Sequence, residues 1–531
     1  MASAAPSELR LTVRTPDSVT DPRVETVPAR LKGWLAGLPM ADPATAARQL
    51  LDQLGLLNRQ HLEPALRVTL LDLYAATYRK IDRVLAQRLP ATDLRQLRRR
   101  LESGLPELCT ELAYGYKHAL LDSRAEPPAG PRGQLLAVAA VRTVRLLGHE
   151  LLLAYAAYQD PPKRVWLELN SLYRFAEQSG FAAARVPQPG HSRGESSVLD
   201  SYLQLLLLAR HDPYRIPAGE VWQVYHYLDQ WAGLCRLEPV DSAAGNDWCV
   251  DLDRAQPDAT DGGGEHLRRI VPRALQQHLE RQLVTLRAGS MPESLGLGDE
   301  VGVDSAREIL KRMQRTWFAP DERRNQRHAK SDRVRVLCGL SAICRGHDEP
   351  EANAPADEDW ILGKGQQPAF EMGNRRADPR YLEWHVLNRS RGGLMLRTGS
   401  GHGRWLSIGQ LVAIDFRLQE QPQWLTCAVR WLRFGRDERV ELGVQFVSAR
   451  ARPVTVRYRE EDGGRPVSRQ ALLIDGEPDS QLIGDRGLFS AERFIEIPGQ
   501  QPARFVTSRL LETTRSYQRI QISPLLSTRR S

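Results

Sequence analysis

The stretch that decides the fold of this chain is NRSRGG at residues 388–393, which directly follows the run EWHVL at residues 383–387. Alternating apolar and polar residues in the preceding run indicate a β-strand. An amide, a hydroxyl and a glycine therefore come together at a strand end. Asn and Ser side chains form short, directional hydrogen bonds, and glycine lets a ligand approach the backbone closely. The stretch predicts a β-fold with a polar binding site where the strand ends.

A second stretch, RRNQR at residues 323–327, places two arginines on either side of three residues. A strand-like run at residues 333–340 follows it. Guanidinium groups bind phosphate through paired hydrogen bonds and stack on flat bases. The two stretches together therefore suit a phosphorylated purine as ligand.

In this order the two stretches resemble the PilZ family, small β-barrels that bind cyclic di-GMP through an Arg-x-x-x-Arg and an Asp/Asn-x-Ser-x-x-Gly motif. The resemblance covers residues 321–452, including a turn at 406–410, an outward-facing strand at 428–431 and a closing strand at 442–446. It implies that cyclic di-GMP binds between the arginines and the strand end. The residues that match the motifs are Arg323, Arg327, Asn388, Ser390 and Gly393, and the neighbouring basic groups that can add a contact are Arg324 and Arg391.

The chain departs from the family pattern in the long segment between the two motifs. A competing Arg-x-x-x-Arg, formed by Arg376 and Arg380, lies inside that segment. It leaves only residues 381–387 before the second motif, which are too few for a two-strand hairpin with its turn. We therefore favour Arg323 and Arg327 as the family's arginines, with Arg376 and Arg380 as the alternative.

The remaining pattern predicts an α+β multidomain protein with an α-helical N-terminal domain, a PilZ-like antiparallel β-barrel and a small C-terminal β-domain. Apolar residues recur at three- and four-residue steps over most of the first half, as in amphipathic helices. A strand is expected at 9–14, helices at 266–288 and 306–317, and four strands after 470. The predicted regions are an N-terminal arm (1–41), the helical domain (42–234), a connecting region with a β-patch and linker helices (235–320), the barrel (321–452) with an insertion (345–382), and the C-terminal β-rich domain (453–531).

Composition limits the possible classes of protein. The 531 residues are 41% hydrophobic and 26% charged, with a net charge of +8, which is typical of globular domains. No apolar run approaches the roughly 18 residues that would span a bilayer, and no secretory signal is visible. Six scattered cysteines without a Cys-x-x-Cys pair fit a reducing compartment. We expect a cytoplasmic protein without a transmembrane segment.

No catalytic or metal-binding motif is evident. HELLL at residues 149–153 begins like the His-Glu-x-x-His motif of zinc proteases but lacks the second histidine. We therefore interpret His149 and Glu150 as a pair on a helix surface. A basic run at 95–100 is interpreted as a solvated helix face, which makes nucleic acid an unexpected partner. We therefore expect that the protein is not an enzyme and that it binds no metal and no cofactor besides the ligand cyclic di-GMP.

The predicted function is that of a cyclic di-GMP effector that passes a signal to an unknown protein partner through its helical domain. Binding would move the linker helix at 306–317, and motility or biofilm control are the outputs that the family serves. The alternatives are a degenerate PilZ scaffold that binds only proteins, and an arginine-rich nucleic-acid binder.

Overall fold

The computed structural model of the chain describes most residues outside the long central insertion. The described ranges are 9–17, 21–87, 104–124, 130–189, 193–217, 219–243, 248–259, 262–297, 302–319, 328–329, 332–348, 382–398, 406–416, 423–435, 439–459, 466–476, 479–499 and 502–525. The chain divides into two compact units, Met1–Glu322 and Arg323–Ser531. The finer boundaries expected at residues 41, 234 and 452 stay predictions.

The first unit is built mainly of α-helices. Their starts carry ordinary helix signals: Asp42 accepts a hydrogen bond from the backbone N–H of Thr45, and Ser197 accepts one from Asp200. The helices are α1 (Pro28–Ala36), α2 (Pro43–Leu57), α3 (Pro64–Gln87), α4 (Leu105–Ser123), α5 (Gly130–Ala156), α6 (Lys163–Gln178), α7 (Val198–Arg210), α8 (Glu220–Trp231), α9 (Arg273–Arg287) and α10 (Val303–Phe318).

Two glycines allow these helices to pack closely. A Cβ atom on Gly115 of α4 would lie 2.5 Å from a methyl carbon of Leu71 on α3. A Cβ atom on Gly148 of α5 would lie 2.7 Å from a methyl carbon of Leu205 on α7. Because interiors are close-packed, a larger residue at either position would require the facing leucine side chain to move.

Short strands join the later helices of this unit. They are β1 (Val186–Pro187), β2 (Glu195–Ser196), β3 (Arg236–Pro239), β4 (Ser242–Ala243), β5 (Cys249–Asp251), β6 (Gly262–Gly263) and β7 (Leu267–Val271). The predicted β-patch is therefore present, with β7 between β3 and β5. The helix expected from residue 266 begins only at Arg273, because residues 267–271 pair as β7 and Pro272 is the residue before the helix.

The connecting region shares the core of the helical region. The face of α10 that carries Ala306, Ile309, Leu310, Met313 and Trp317 is buried in the same hydrophobic cluster as α2 to α8. The expected linker helix is thus an integral part of the first unit.

The N-terminal segment forms no strand of a sheet, so the strand expected at 9–14 is wrong. Its backbone bonds to side chains of α6 instead: the N–H of Arg10 to Ser171 (2.8 Å) and that of Thr12 to Glu168 (3.0 Å). Alternation of apolar and polar residues alone cannot identify the partner of a segment.

The second unit begins with a closed antiparallel barrel. Its strands are β8 (His328–Ala329), β9 (Arg333–Cys338), β10 (Leu382–Arg389), β11 (Gly393–Thr398), β12 (Leu411–Asp415), β13 (Trp424–Phe434) and β14 (Val440–Ser448). The six strands from β9 to β14 close in the order β9–β10–β11–β14–β13–β12, and β8 pairs with β10 beyond the end of β9. Closure leaves these six strands without a free edge.

A second closed barrel follows. It contains β15 (Arg452–Tyr458), β16 (Val467–Ile474), β17 (Ser480–Gly484), β18 (Phe494–Ile497), β19 (Ala503–Thr513) and β20 (Gln518–Pro524), in the order β15–β16–β17–β20–β19–β18. The sequence predicted four of these strands and missed β15 and β17. The helical region and the two barrels confirm the predicted α+β multidomain class.

A short helix, α11 (Leu340–Asp348), packs between the barrels. Its Ile343 and Cys344 share a buried cluster with Leu411 of the first barrel and with Leu472 and Tyr517 of the second. The strand-like run expected to reach residue 340 therefore ends at Cys338. Residues 345–348, which we assigned to the insertion, end this helix, and residues 349–381 lie outside the described part of the chain.

Candidate functional site

The end of β10 turns the Asn-x-Ser-x-x-Gly motif toward the outer surface of the first barrel. Trp384 and Val386 point inward and are fully buried. The pairing with β11 then shifts by one residue, because Val386 lies opposite Leu396 whereas Asn388 lies opposite Met395. This β-bulge reverses the alternation, so Asn388 faces outward and its amide nitrogen lies 3.2 Å from the sulfur of Met395.

The serine and glycine of the motif form the turn between β10 and β11. The backbone N–H and the hydroxyl of Ser390 both donate to the carbonyl of Gly393, at 2.9 and 3.3 Å. A Cβ atom on Gly393 would lie 2.2 Å from the carbonyl oxygen of Val444 on β14. Both residues therefore have structural roles in addition to any contact with a ligand. Arg391 is exposed within the same turn.

Residues outside the two motifs also lie on this outer face of the first barrel. Asn388, Met395, Gly443 and Trp431 lie opposite one another across β10, β11, β14 and β13. The indole of Trp431 covers Gly443, where a Cβ atom would lie 1.8 Å from the ring nitrogen. The sequence placed Trp431 on an outward-facing strand but did not identify it as a site residue, because its neighbours come from distant parts of the chain.

Charged side chains surround this row. The guanidinium of Arg389 lies 5.2 Å from the ring centroid of Phe416, and Arg397 donates to Glu441 across the strands at 2.8 Å. Arg389 remains exposed. The outer face thus offers hydrogen-bonding groups, a half-buried indole and exposed cations.

The described chain resumes beside the motif, directly after the arginine segment. Residues 320–327, which include Arg323, Arg324 and Arg327, lie outside the described residues, but the chain resumes at β8 directly after Arg327. His328 pairs with Arg389 and Ala329 with Asn388. The competing pair, Arg376 and Arg380, also lies outside the described residues and precedes Leu382, which pairs with Val336 at the opposite end of β10.

Other candidates from the sequence have different outcomes. His149 and Glu150 are not a surface pair: the carboxylate of Glu150 is buried and accepts a hydrogen bond from Arg164 at 2.6 Å, and His149 contacts Tyr78 inside the helical unit. The basic run at 95–100 lies outside the described residues. Among the residues that are described, no group of three His, Cys, Asp or Glu side chains could hold a metal ion. No described helix is long and apolar enough to cross a membrane.

Comparison with known proteins agrees with this architecture. Residues 349–453 match the family model described as the middle PilZ domain of the cyclic-di-GMP receptor FimW, and residues 29–242 match the model of its N-terminal domain. The chain thus carries a PilZ domain behind a helical domain of the FimW type.

The chain is 25% identical to the cyclic-di-GMP receptor FimW of Pseudomonas aeruginosa, over 88% of this chain and 84% of FimW. No solved structure matches it. The span matched to the middle domain includes Arg376 and Arg380 but begins after Arg323 and Arg327.

Proposed function

We propose that this protein is a cyclic di-GMP effector whose first barrel binds the nucleotide on the outer face that carries Asn388. The similarity to a cyclic-di-GMP receptor supports the ligand. The observation that carries the position of the site is the pairing of β8 with the end of β10, because it brings the chain after Arg327 beside Asn388.

The arginines that bind the nucleotide are Arg323 and Arg327, with Arg324 and Arg391 as adjacent cations. Paired residues on antiparallel strands have Cα atoms about 5 Å apart, so Arg327 is only one residue away from a partner of the motif. Leu382, in contrast, lies about 20 Å along β10 from Asn388 at 3.3 Å per residue. The two residues from Arg380 to Leu382 span at most about 7 Å, so the Cα atom of Arg380 cannot come close to that of Asn388. This distance supports the first pair.

The barrel side of the site consists of Asn388, Ser390 and Gly393. Asn388 offers an amide on the outer face, and Ser390 and Gly393 hold the turn that positions it. Trp431, on the same row, offers a flat surface on which a guanine base can stack. The two guanidinium groups supply charge-assisted hydrogen bonds to the phosphates.

The signal acts on the connection between the two units. Helix α10 ends at Phe318, and Arg323 and Arg327 follow within a few residues. Moving α10 itself would expose its buried apolar face and break the ion pair between Arg312 and Glu220. Nucleotide contacts to the arginines would therefore change the segment after α10, and a protein partner of the helical unit would respond to that change.

Calorimetric titration with cyclic di-GMP tests the proposal on the full chain. Because each charge-assisted hydrogen bond contributes about 1.5–3 kcal/mol, Arg327→Ala should weaken binding at least about tenfold. Arg380→Ala is the matched control and should bind like the natural protein. Hydrogen exchange of the peptide that contains residues 319–329 should slow when the nucleotide binds.

The alternatives predict different results. A scaffold that binds only proteins gives no heat with cyclic di-GMP at tens of micromolar protein. An arginine-rich nucleic-acid binder gives DNA or RNA affinity that falls steeply with salt. If Arg380→Ala loses binding and Arg327→Ala does not, the competing arginine pair is the correct one.

A further inference from the structure

The helical unit contains a cavity of about 540 Å³ that is separate from the barrels. Side chains of α3, α5 and α8 line it, together with residues near 188 and 219. Its volume lies in the range of about 300–1,000 Å³ that is usual for small-molecule sites. The cavity is therefore large enough for an organic ligand.

Three arginines line the cavity, and two of them already have partners. Arg142 donates to Asp72 at 2.9 Å and to the carbonyl of Pro187 at 2.8 Å. Arg145 donates to Gln204 at 3.1 Å and forms an ion pair with Asp229. Both guanidinium groups are held in place by these bonds, and both keep their positive charge at the cavity wall.

The third arginine, Arg79, makes no hydrogen bond or ion pair with any described residue. It is half-buried, and burial together with repulsion from Arg142 and Arg145 lowers the pKa of its guanidinium, although Tyr116 and Asp72 act in the opposite direction without bonding to it. A guanidinium is expensive to hold in a partly buried place without an acceptor. Of the three arginines at the cavity wall, Arg79 is the one without a hydrogen bond or ion pair to a described residue.

Aromatic side chains form part of the remaining wall. Trp222 and Tyr225 line the cavity, and the ring of His149 meets that of Trp222 edge-on at 5.7 Å. The imidazole of His149 is oriented by Tyr78 and lies 3.9 Å from Asp82. The hydroxyl of Tyr227 is buried without a hydrogen-bond partner among the described residues. These groups offer flat apolar contact and an unused polar atom.

We infer that this cavity binds a small organic oxyanion that carries a planar ring, with its phosphate or carboxylate on Arg79 and its ring among Trp222 and Tyr225. A guanidinium binds either oxyanion through paired hydrogen bonds, whereas the aromatic wall selects a ring. The site would be a second ligand site in the chain, independent of cyclic di-GMP binding by the barrel.

Saturation-transfer NMR on the full chain tests the inference with three probes of similar shape: phenyl phosphate, benzoate and the uncharged benzyl alcohol. We expect a signal from at least one of the two anions and at most a weak one from the alcohol. Arg79→Gln should reduce the affinity for the anion at least tenfold. Arg83→Gln, an exposed arginine one turn further along α3, is the matched control and should bind as the natural protein does.

Stability separates loss of binding from loss of folding. Because Arg79 is an unpaired cation, Arg79→Gln should keep or raise the temperature of thermal unfolding while binding is lost. Trp222→Leu should also weaken binding, through loss of the ring contact. In the double variant Arg323→Ala/Arg327→Ala, the aromatic anion should still bind although cyclic di-GMP does not.

Absence of a signal from both anions would overturn the inference, as would equal binding by Arg79→Gln and the natural protein. Equal signals from benzyl alcohol and the anions would show an apolar pocket without anion selectivity, which also contradicts it.

Discussion

The two units of this protein place their charges in opposite ways. The helical unit buries Lys117, Glu168 and Arg142 inside its core. Each barrel is filled mainly by apolar side chains, with Asp415 as the buried carboxylate of the first barrel and Arg335 as its partner at 2.8 Å. A small barrel has an interior just wide enough for its own side chains, whereas helices can diverge to leave room for polar groups and cavities. A ligand of the barrel must therefore bind outside, and a ligand of the helical unit can bind inside.

The largest effect is expected from removing a buried charge in the helical unit. Lys117 and Glu168 form an ion pair with side chains only 0% and 2% exposed. Lys117→Met leaves the carboxylate of Glu168 without this partner, so we expect the free energy of unfolding to fall by about 3–5 kcal/mol. Denaturant unfolding followed by the helical circular dichroism band measures it.

The matched control is Lys311→Met. Lys311 pairs with Glu308 on the surface of α10, where the two side chains are 39% and 48% exposed. Water screens such a pair, so its removal should change stability by less than about 1 kcal/mol. Similar losses in the two variants would contradict the contrast between buried and exposed charges.

A glycine substitution tests how closely strands β11 and β14 of the first barrel pack. Gly393→Ala places a methyl group against the carbonyl of Val444, so β11 and β14 must separate. Overpacking of this kind costs about 1–3 kcal/mol. Hydrogen exchange should accelerate in peptides from β11 and β14, and cyclic di-GMP affinity should fall with it. Unchanged exchange together with lost affinity would instead point to direct contact between Gly393 and the ligand.

Acid should weaken the helical unit through His211. This imidazole is buried without a hydrogen-bond partner among the described residues, and burial followed by the charge of Arg312 lowers its pKa to about 3. The unfolded chain binds a proton below about pH 6.5 that the folded chain does not, so stability falls as pH falls. At about pH 5 the loss should be roughly 2 kcal/mol.

The variant His211→Leu removes this group. Its free energy of unfolding should change less between about pH 8 and about pH 5 than that of the natural protein, by roughly the same 2 kcal/mol. An identical pH dependence in both proteins would show that His211 does not titrate in this range.

The smallest effect is expected at a helical glycine that has open space around it. A Cβ atom on Gly55 of α2 would meet nothing within 4 Å. Gly55→Ala should therefore stabilise the helical unit by about 0.5–1 kcal/mol, since alanine restricts the unfolded chain. A loss of stability would show that α2 cannot accommodate a methyl group at Gly55, as we expect for β11 at Gly393.

Local pattern predicted much of the secondary structure. The helix expected at 306–317 lies within α10, at Val303–Phe318, and the strand-like run expected at 333–340 largely coincides with β9, at Arg333–Cys338. The strand expected at 9–14 was wrong, and the helix expected at 266–288 begins only at Arg273. In both, a short run of apolar residues is compatible with more than one partner, and only contacts with distant residues decide the outcome.

The candidate site was likewise predicted only in part from the sequence. The sequence predicted Asn388, Ser390 and Gly393 as one cluster, because they are close along the chain. It could not predict that the bulge before Asn388 turns this residue outward, or that Trp431 lies on the same row. The cavity around Arg79 was not predicted at all, because its wall comes from helices far apart in sequence.

By itself, then, the sequence determined the class of each region and the order of the binding motifs, since periodicity and turn residues are local properties. The tertiary structure decided which side of the barrel those motifs face, which charges are buried and which arginine lacks a partner. These features depend on pairings between distant segments, and their energies come from packing and desolvation that no short stretch contains.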